Sequence, residues 1–261
     1  MRLKNKVAIV TGGAQGIGRG IVKLFAEEGA KVVIADVNSE SGEQAEIEFT
    51  DEKLKVAFHK TDVGNEDDVR SLMKFTADKF GSIDILVNNA AVNYRKAVHE
   101  TSLEEWNNLM NVNLTGAFLC SKYAIPEMQK LNSASIINIV SWHAETTITR
   151  LAAYASAKGG LTALTRQMAL DYGKDQIRVN AVGPSTVDTP MLEKTFANLD
   201  NPEEAMEQSL AFNPMGRFGK VDDIAKACLF FASDDSAFVS GQTMMVDGGQ
   251  INKVSRPISF D

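Results

Sequence analysis

Tyr154 and Lys158 stand four residues apart in the stretch Leu151-Ala152-Ala153-Tyr154-Ala155-Ser156-Ala157-Lys158. On a helix that spacing puts both side chains on one face, an ammonium beside a phenol. A phenol with a reference pKa near ~10 is protonated at neutral pH, so a tyrosine acting as a base must be shifted by roughly 3 units, about 4 kcal/mol. Positive charge supplies such a shift. Lys158 is one source, and a cationic ring held in the same cleft would be another. The pair therefore suits removal of a hydroxyl proton.

A second group, Thr11-Gly12-Gly13-Ala14-Gln15-Gly16-Ile17-Gly18, lies between an apolar run and an amphipathic stretch from Arg19 to Glu28. Glycines at a strand-to-helix turn let backbone approach a pyrophosphate, and the helix N-terminus offers free N–H groups and the positive end of its dipole. The next apolar run ends at Asp36, whose carboxylate can accept hydrogen bonds from both hydroxyls of an adenosine ribose. The same charge repels the 2′-phosphate of NADP. No basic residue stands at Gln15, at Ala35 or directly after Asp36, so NAD is expected over NADP.

The elements that must position these groups are short β-branched runs alternating with amphipathic stretches. Strands are expected at 7–10, 31–35, 55–58, 83–87, 135–140, 178–182 and 243–246. Most are continuous apolar runs, the pattern of a parallel sheet buried on both faces with helices as crossovers. End-to-end alternation predicts one α/β, Rossmann-like doubly wound domain of seven strands over 1–261. The least regular stretch, about 184–218, carries Pro184, Pro190, Pro202 and Pro214 around a helical pattern at Asn201 to Ser209. An insertion just after a strand's carboxyl end suits an active-site lid.

Taken together, these residues resemble the short-chain dehydrogenase/reductase family over essentially the whole chain. Its Thr-Gly-x-x-x-Gly-x-Gly loop stands as Thr11, Gly12, Gly16 and Gly18, with Gln15 and Ile17 between them. Its Asp-Val adenine clamp is similar to Asp62-Val63, and its Asn-Asn-Ala-Gly stretch to Asn88-Asn89-Ala90-Ala91, where Ala91 replaces a glycine. Ser141, just past the fifth expected strand, and Asn113, in Asn111-Val112-Asn113-Leu114-Thr115-Gly116, match the family's remaining catalytic positions. The resemblance implies hydride transfer between a nicotinamide and a secondary alcohol or carbonyl. Tyr154 would be the acid/base group, Ser141 would donate to the substrate oxygen, and Asn113 would hold a water linking Lys158 to solvent. It also implies that Val187 and Thr189 bind the nicotinamide amide, while Ser185 stands where the family usually has glycine.

Substrate is expected to contact Asn93, Tyr94, Ser141, His143, Glu145, Thr146, Arg150 and Tyr154. That polar set suits a polyhydroxylated ligand, and Ser141-x-His143 resembles the aldose dehydrogenases of the family. Those relatives tend to carry Glu where this chain has Asn93. Alternatives are a polyol, a hydroxysteroid-type alcohol, a 3-oxoacyl thioester, or a catalytically silent NAD-binding sensor or scaffold.

The 261 residues include 27 Lys+Arg and 34 Asp+Glu, a net charge of -7. That balance argues against nucleic acid as a partner, because phosphate neutralisation needs clustered cations. No run approaches the ~20 apolar residues of a membrane span. The apolar run after the basic start, Val7 to Val10, is too short for a signal peptide and runs straight into the glycine loop, and neither Cys120 nor Cys228 has a nearby Cys or His partner, so a cytoplasmic protein without metal or disulfide is expected. Apolar residues on more than one face of 111–130 and 151–172 point to a homotetramer. The tail 250–261, with Ile251, Val254, Ile258 and Phe260 around Pro257, is expected to dock, with Arg256 to Phe260 walling a neighbouring active site.

Overall fold

A computed structural model describes residues 1–197 and 201–253. Its strands are β1 (Val7–Thr11), β2 (Lys31–Asp36), β3 (Val56–Lys60), β4 (Ile85–Asn88), β5 (Ala134–Ile139), β6 (Ile177–Pro184) and β7 (Thr243–Val246). They form a single parallel sheet in the order β3-β2-β1-β4-β5-β6-β7. Each expected strand is present, with ends shifted by two residues at most. The strand order reverses between β1 and β4, and this opens a crevice at their carboxyl ends, where open α/β sheets take ligands.

The helices are α1 (Gly16–Glu27), α2 (Ser39–Asp51), α3 (Glu66–Phe80), α4 (Leu103–Met110), α5 (Gly116–Met128), α6 (Ala152–Tyr172), α7 (Pro190–Ala197), α8 (Pro202–Ala211) and α9 (Val221–Ala232). Ile21 and Phe25 of α1, Phe49 of α2 and Phe231 of α9 pack on one face of the sheet. Leu72 of α3, Met128 of α5 and Met168 of α6 cover the other. Strands between two apolar layers must be apolar throughout, which is why β1 and β5 are buried along their whole length. Within the second layer Asn138 of β5 is fully buried and tied to polar partners. Its Nδ2 donates to Thr165 Oγ1 at 2.8 Å, and its Oδ1 accepts from Asn88 Nδ2 at 2.8 Å. Arg178 of β6 is also buried and donates to Phe231 O, Ser236 Oγ and Ser233 O, fastening the C-terminal end of α9 to the sheet.

Two local expectations need correction. α1 starts at Gly16 rather than Arg19, so the last two glycines of the loop belong to its first turn. In 184–218 there are two helices where one was expected, because Thr189 starts α7: its Oγ1 accepts from Leu192 N with Pro190 at the first helical position. The tail contact assigned to Arg256 to Phe260 lies outside the described residues. Among the described residues no helix is long and apolar enough to cross a membrane, and no His/Cys/Asp/Glu cluster could hold a metal. Cys120 and Cys228 are free and buried, and burial pushes the Cys120 thiol up to about 12.

Candidate active site

The glycine loop is held from both sides of the crevice. Thr11 Oγ1 accepts from Asn89 N at 3.0 Å and from Ala90 N at 3.1 Å. Asn89 Nδ2 in turn donates to Thr11 O at 2.9 Å and Gly12 O at 3.0 Å. Gly12 has φ +62°, and a Cβ on Gly18 would lie 2.1 Å from the Gly12 carbonyl oxygen. Only glycine lets the first turn of α1 press so closely on the loop. That turn has no side-chain cap and no acidic residue, so its amides at Gly16, Ile17 and Gly18 are free to take an anion. Thr189 comes over the same turn, its Cγ2 3.7 Å from the Cβ position of Gly16.

Asp36 ends β2 beside this loop. One carboxylate oxygen accepts from Ala14 N and the other from Asn38 N, both at 3.1 Å. Each oxygen keeps acceptor capacity for a ribose hydroxyl. Asp62 Oδ1 caps Gly64 N at 2.9 Å, and buried Val63 is pinned against α5, where a Cβ on Gly116 would fall 2.7 Å from Val63 Cγ2. These residues form a firm corner after β3. A cradle that only glycine can line, an uncapped helix start and a fixed carboxylate together fit a dinucleotide.

At the carboxyl end of β5 the reactive side chains converge. Ser141 is buried and its Oγ accepts from His143 N at 3.2 Å. Tyr154 lies in the first turn of α6, with the His143 ring edge-on to it at 6.0 Å between centroids and the Trp142 ring tilted against His143 at 4.2 Å. Lys158 is buried one turn further along, its Nζ 5.7 Å from the centre of the Tyr154 ring and donating to Ile139 O at 2.7 Å. Burial pushes the Lys158 ammonium down to about 8. It raises the Tyr154 phenol above its ordinary value, against a smaller lowering from the Ser141 hydroxyl. The chain alone therefore keeps Tyr154 protonated at neutral pH. Its conversion to phenolate requires a further positive charge in the cleft.

Asn113 sits in a turn of π-helix, Asn111–Thr115, between α4 and α5. Both ends of its amide bond to Val92, which ties it to the loop after β4. Asn93 is exposed on that loop. Arg150 is committed to Glu100. Sequence reasoning passed over Asn138 and Thr165, although an asparagine inside the apolar run 136–140 is itself a sign of a buried polar tie.

With this geometry in view, the comparisons agree. A family model described as enoyl-(acyl carrier protein) reductase matches residues 12–250. An uncharacterised oxidoreductase of Thermotoga maritima is 41% identical over 253 residues, 97% of this chain and 98% of that protein. The structure of a levodione reductase superposes with a TM-score of 0.93 at 32% identity, covering 97% of this chain and all of that one. The Thermoplasma acidophilum aldohexose dehydrogenase superposes with a TM-score of 0.90 at 34% identity, over 98% of both chains. The chain belongs to the short-chain dehydrogenase/reductase family, oxidoreductases that act on alcohol and carbonyl substrates with a nicotinamide cofactor, NAD or NADP.

Proposed function

We propose that the chain is an NAD-dependent dehydrogenase that interconverts a secondary alcohol and its carbonyl on a polyhydroxylated substrate, a sugar or polyol. The observation that carries this is the convergence of Ser141, Tyr154 and the buried Lys158 at the end of β5, with the polar His143 against Tyr154. The cofactor is held by Gly12, Gln15, Gly16, Ile17, Gly18, Asp36, Asp62, Val63, Asn89, Val187 and Thr189, together with Tyr154 and Lys158. When bound it supplies the hydride acceptor and, in its oxidised form, a positive charge.

In this reading Ser141 donates a hydrogen bond to the reacting oxygen, and Tyr154 accepts the hydroxyl proton. Lys158 keeps an ammonium beside the phenolate. Asn113 fixes the loop that closes the cleft, and its main chain, set by the π-turn, is the part left to hold a water toward Lys158. Asn93 and His143 contact substrate under a lid at 184–218. The whole chain acts as one catalytic domain in a cytoplasmic homotetramer. A 3-oxoacyl thioester reductase is the second reading, favoured by the likeness to a 3-oxoacyl-[acyl-carrier-protein] reductase of Thermotoga maritima, 36% identical over 251 residues. Asp36, which disfavours a 2′-phosphate, and the net charge of -7, which would repel an acidic carrier, speak against it.

The test is NAD reduction across a panel of aldoses, polyols and simple secondary alcohols, beside binding titrations of NAD and NADP. Turnover of sugars or polyols with NAD is expected. Activity confined to acyl thioesters with NADPH would select the second reading.

A further inference from the structure

Asp62 and Val63 lie in the short turn from Thr61 to Asn65, between the end of β3 and the start of α3. Backbone groups tie this turn on three sides. Thr61 N donates to Asp36 O at 2.9 Å, Asp62 N donates to Asp68 Oδ2 at 3.0 Å, and Gly64 O accepts from Asn111 Nδ2 at 3.2 Å. His59, half-buried on β3, braces both flanks of the turn at once. Its Nδ1 is 2.9 Å from Thr61 Oγ1, its Nε2 is 3.2 Å from Ser71 Oγ of α3, and its ring is tilted against Phe75 of α3 at 4.9 Å between centroids. Asp68, Ser71 and Phe75 follow one another at helical spacing, so one face of α3 holds both the Asp62 amide and the imidazole.

The neighbours fix where the protons are. Thr61 Oγ1 donates to His59 O at 3.2 Å, so its proton is engaged and toward the ring it accepts. Nδ1 therefore carries the imidazole proton, and Nε2 accepts from the Ser71 hydroxyl. Both nitrogens are satisfied in the neutral form. Burial holds this imidazole below its ordinary value, against Asp68 and the Lys60 backbone acting in the opposite sense, which keeps it neutral at pH 7.

Three hydrogen bonds lead from the ring to the glycine loop: His59 to Thr61, Thr61 N to Asp36 O, and Ala14 N to the Asp36 carboxylate. Ser141 and Tyr154, by contrast, stand at the end of β5, four strands away from β3 in the sheet. We propose that His59 is a positioning residue for the adenosine half of the cofactor, fixing the Thr61 hydroxyl and the start of α3 so that the Asp62-Val63 corner is set before adenosine arrives. This rests on the dinucleotide reading above. A corner already ordered loses little entropy on binding, whereas a loose one subtracts its ordering from the affinity.

The experiment titrates ADP-ribose and NAD into the full-length protein by calorimetry, beside kinetics with an active alcohol from the panel above. His59→Phe keeps a ring against Phe75 and drops both hydrogen bonds. Its affinity for ADP-ribose is expected to fall by about fivefold or more, with NAD affinity following and kcat at saturating NAD unchanged. His59→Asn, whose amide nitrogen stands where Nδ1 does, should stay within about twofold of wild type. Thr61→Val, close in shape and without the acceptor, should match His59→Phe, and the double variant should add little further; it decides the matter if His59→Phe does not fold. ADP-ribose affinity unmoved in the folded variants, even with a lowered melting temperature, overturns the positioning role and leaves the dinucleotide reading intact. A His59→Asn variant as weak as His59→Phe overturns it as well. Wild-type protein that binds neither ADP-ribose nor NAD overturns both.

Discussion

Asn113 turns both ends of its amide to one residue: Nδ2 donates to Val92 O at 2.9 Å and Oδ1 accepts from Val92 N at 2.8 Å. A loop segment without ladder partners is thereby held as a strand neighbour would hold it. Asn113→Ala leaves both Val92 groups unpaired in a part-buried setting. We expect a stability loss of roughly 1–3 kcal/mol and a raised substrate KM, because Val92 to Lys96 walls the cleft. Asn113→Asp should not restore either property, since a carboxylate cannot donate to Val92 O. Thermal melts and steady-state kinetics on both variants check this, and a wild-type KM in Asn113→Ala would disconnect the loop from substrate.

Tyr154→Phe keeps the ring that packs against Leu109, Ala153 and Ala157 and removes only the hydroxyl. Turnover should fall by about 10²–10⁴-fold, the usual contribution of a positioned acid/base group, with NAD binding retained. A variant keeping more than a tenth of wild-type turnover would show that another group moves the proton.

Lys158 makes a distinct prediction through pH. Its ammonium is held down to about 8 in the folded chain against an ordinary 10.5, so between those values the unfolded chain binds more protons and stability rises with pH. Below pH ~8 the folded state carries the whole penalty, roughly 3 kcal/mol. Lys158→Met should abolish that alkaline rise and be no less stable than wild type at pH 7, while losing activity. The comparison is urea unfolding at neutral and alkaline pH, wild type against variant. Equal pH slopes would mean that this ammonium is well solvated.

Much of this was legible before any fold was seen, for physical reasons that differ from residue to residue. β1 and β5 declare themselves because burial on both faces demands unbroken apolar runs. Tyr154 and Lys158 share a face because helical spacing is fixed. The role of Asn113 was not readable, since its partner Val92 is 21 residues away and nothing local marks a π-turn. The pairing of Arg150 was hidden for a similar reason: its partner Glu100 is 50 residues distant, and only the fold brings the two together. The start of α7 was readable in Thr189-Pro190, a cap followed by a first-turn proline. Asn138 is an intermediate case: an asparagine inside an apolar run signals a buried polar tie, but its partners Asn88 and Thr165 are visible only in the folded layer.

Asp36 should decide the cofactor. Its two oxygens are oriented by Ala14 N and Asn38 N, which leaves a fixed negative charge at the end of β2. Asp36→Ala removes the acceptor for the ribose and the repulsion toward a 2′-phosphate together. NAD affinity is expected to weaken by about 10–100-fold, as for loss of charge-assisted hydrogen bonds, while NADP weakens less or gains. Fluorescence titration of both cofactors measures it, and tighter binding of NADP than NAD by the wild type would refute the assignment.

The last prediction concerns assembly. Leu114, Phe118, Ala163 and Leu164 line an open groove between α5 and α6 on the side away from the sheet. Phe118 is 47% exposed and Leu170, further along α6, is 79% exposed. Both helices already bury one face against β4, β5 and β6, so a second apolar face has no partner within the described chain. Exposed apolar surface of this kind is covered by association, and a two-fold pairing of the same two helices would cover it with their own copies. We expect light scattering to give four times the 28.4 kDa chain mass at micromolar concentration. Phe118→Glu sets like charges against each other across such a pairing and should yield a smaller species with the fold intact by circular dichroism. Wild-type protein running as a monomer would refute the assembly, and a tetramer surviving in Phe118→Glu would move the interface to another face.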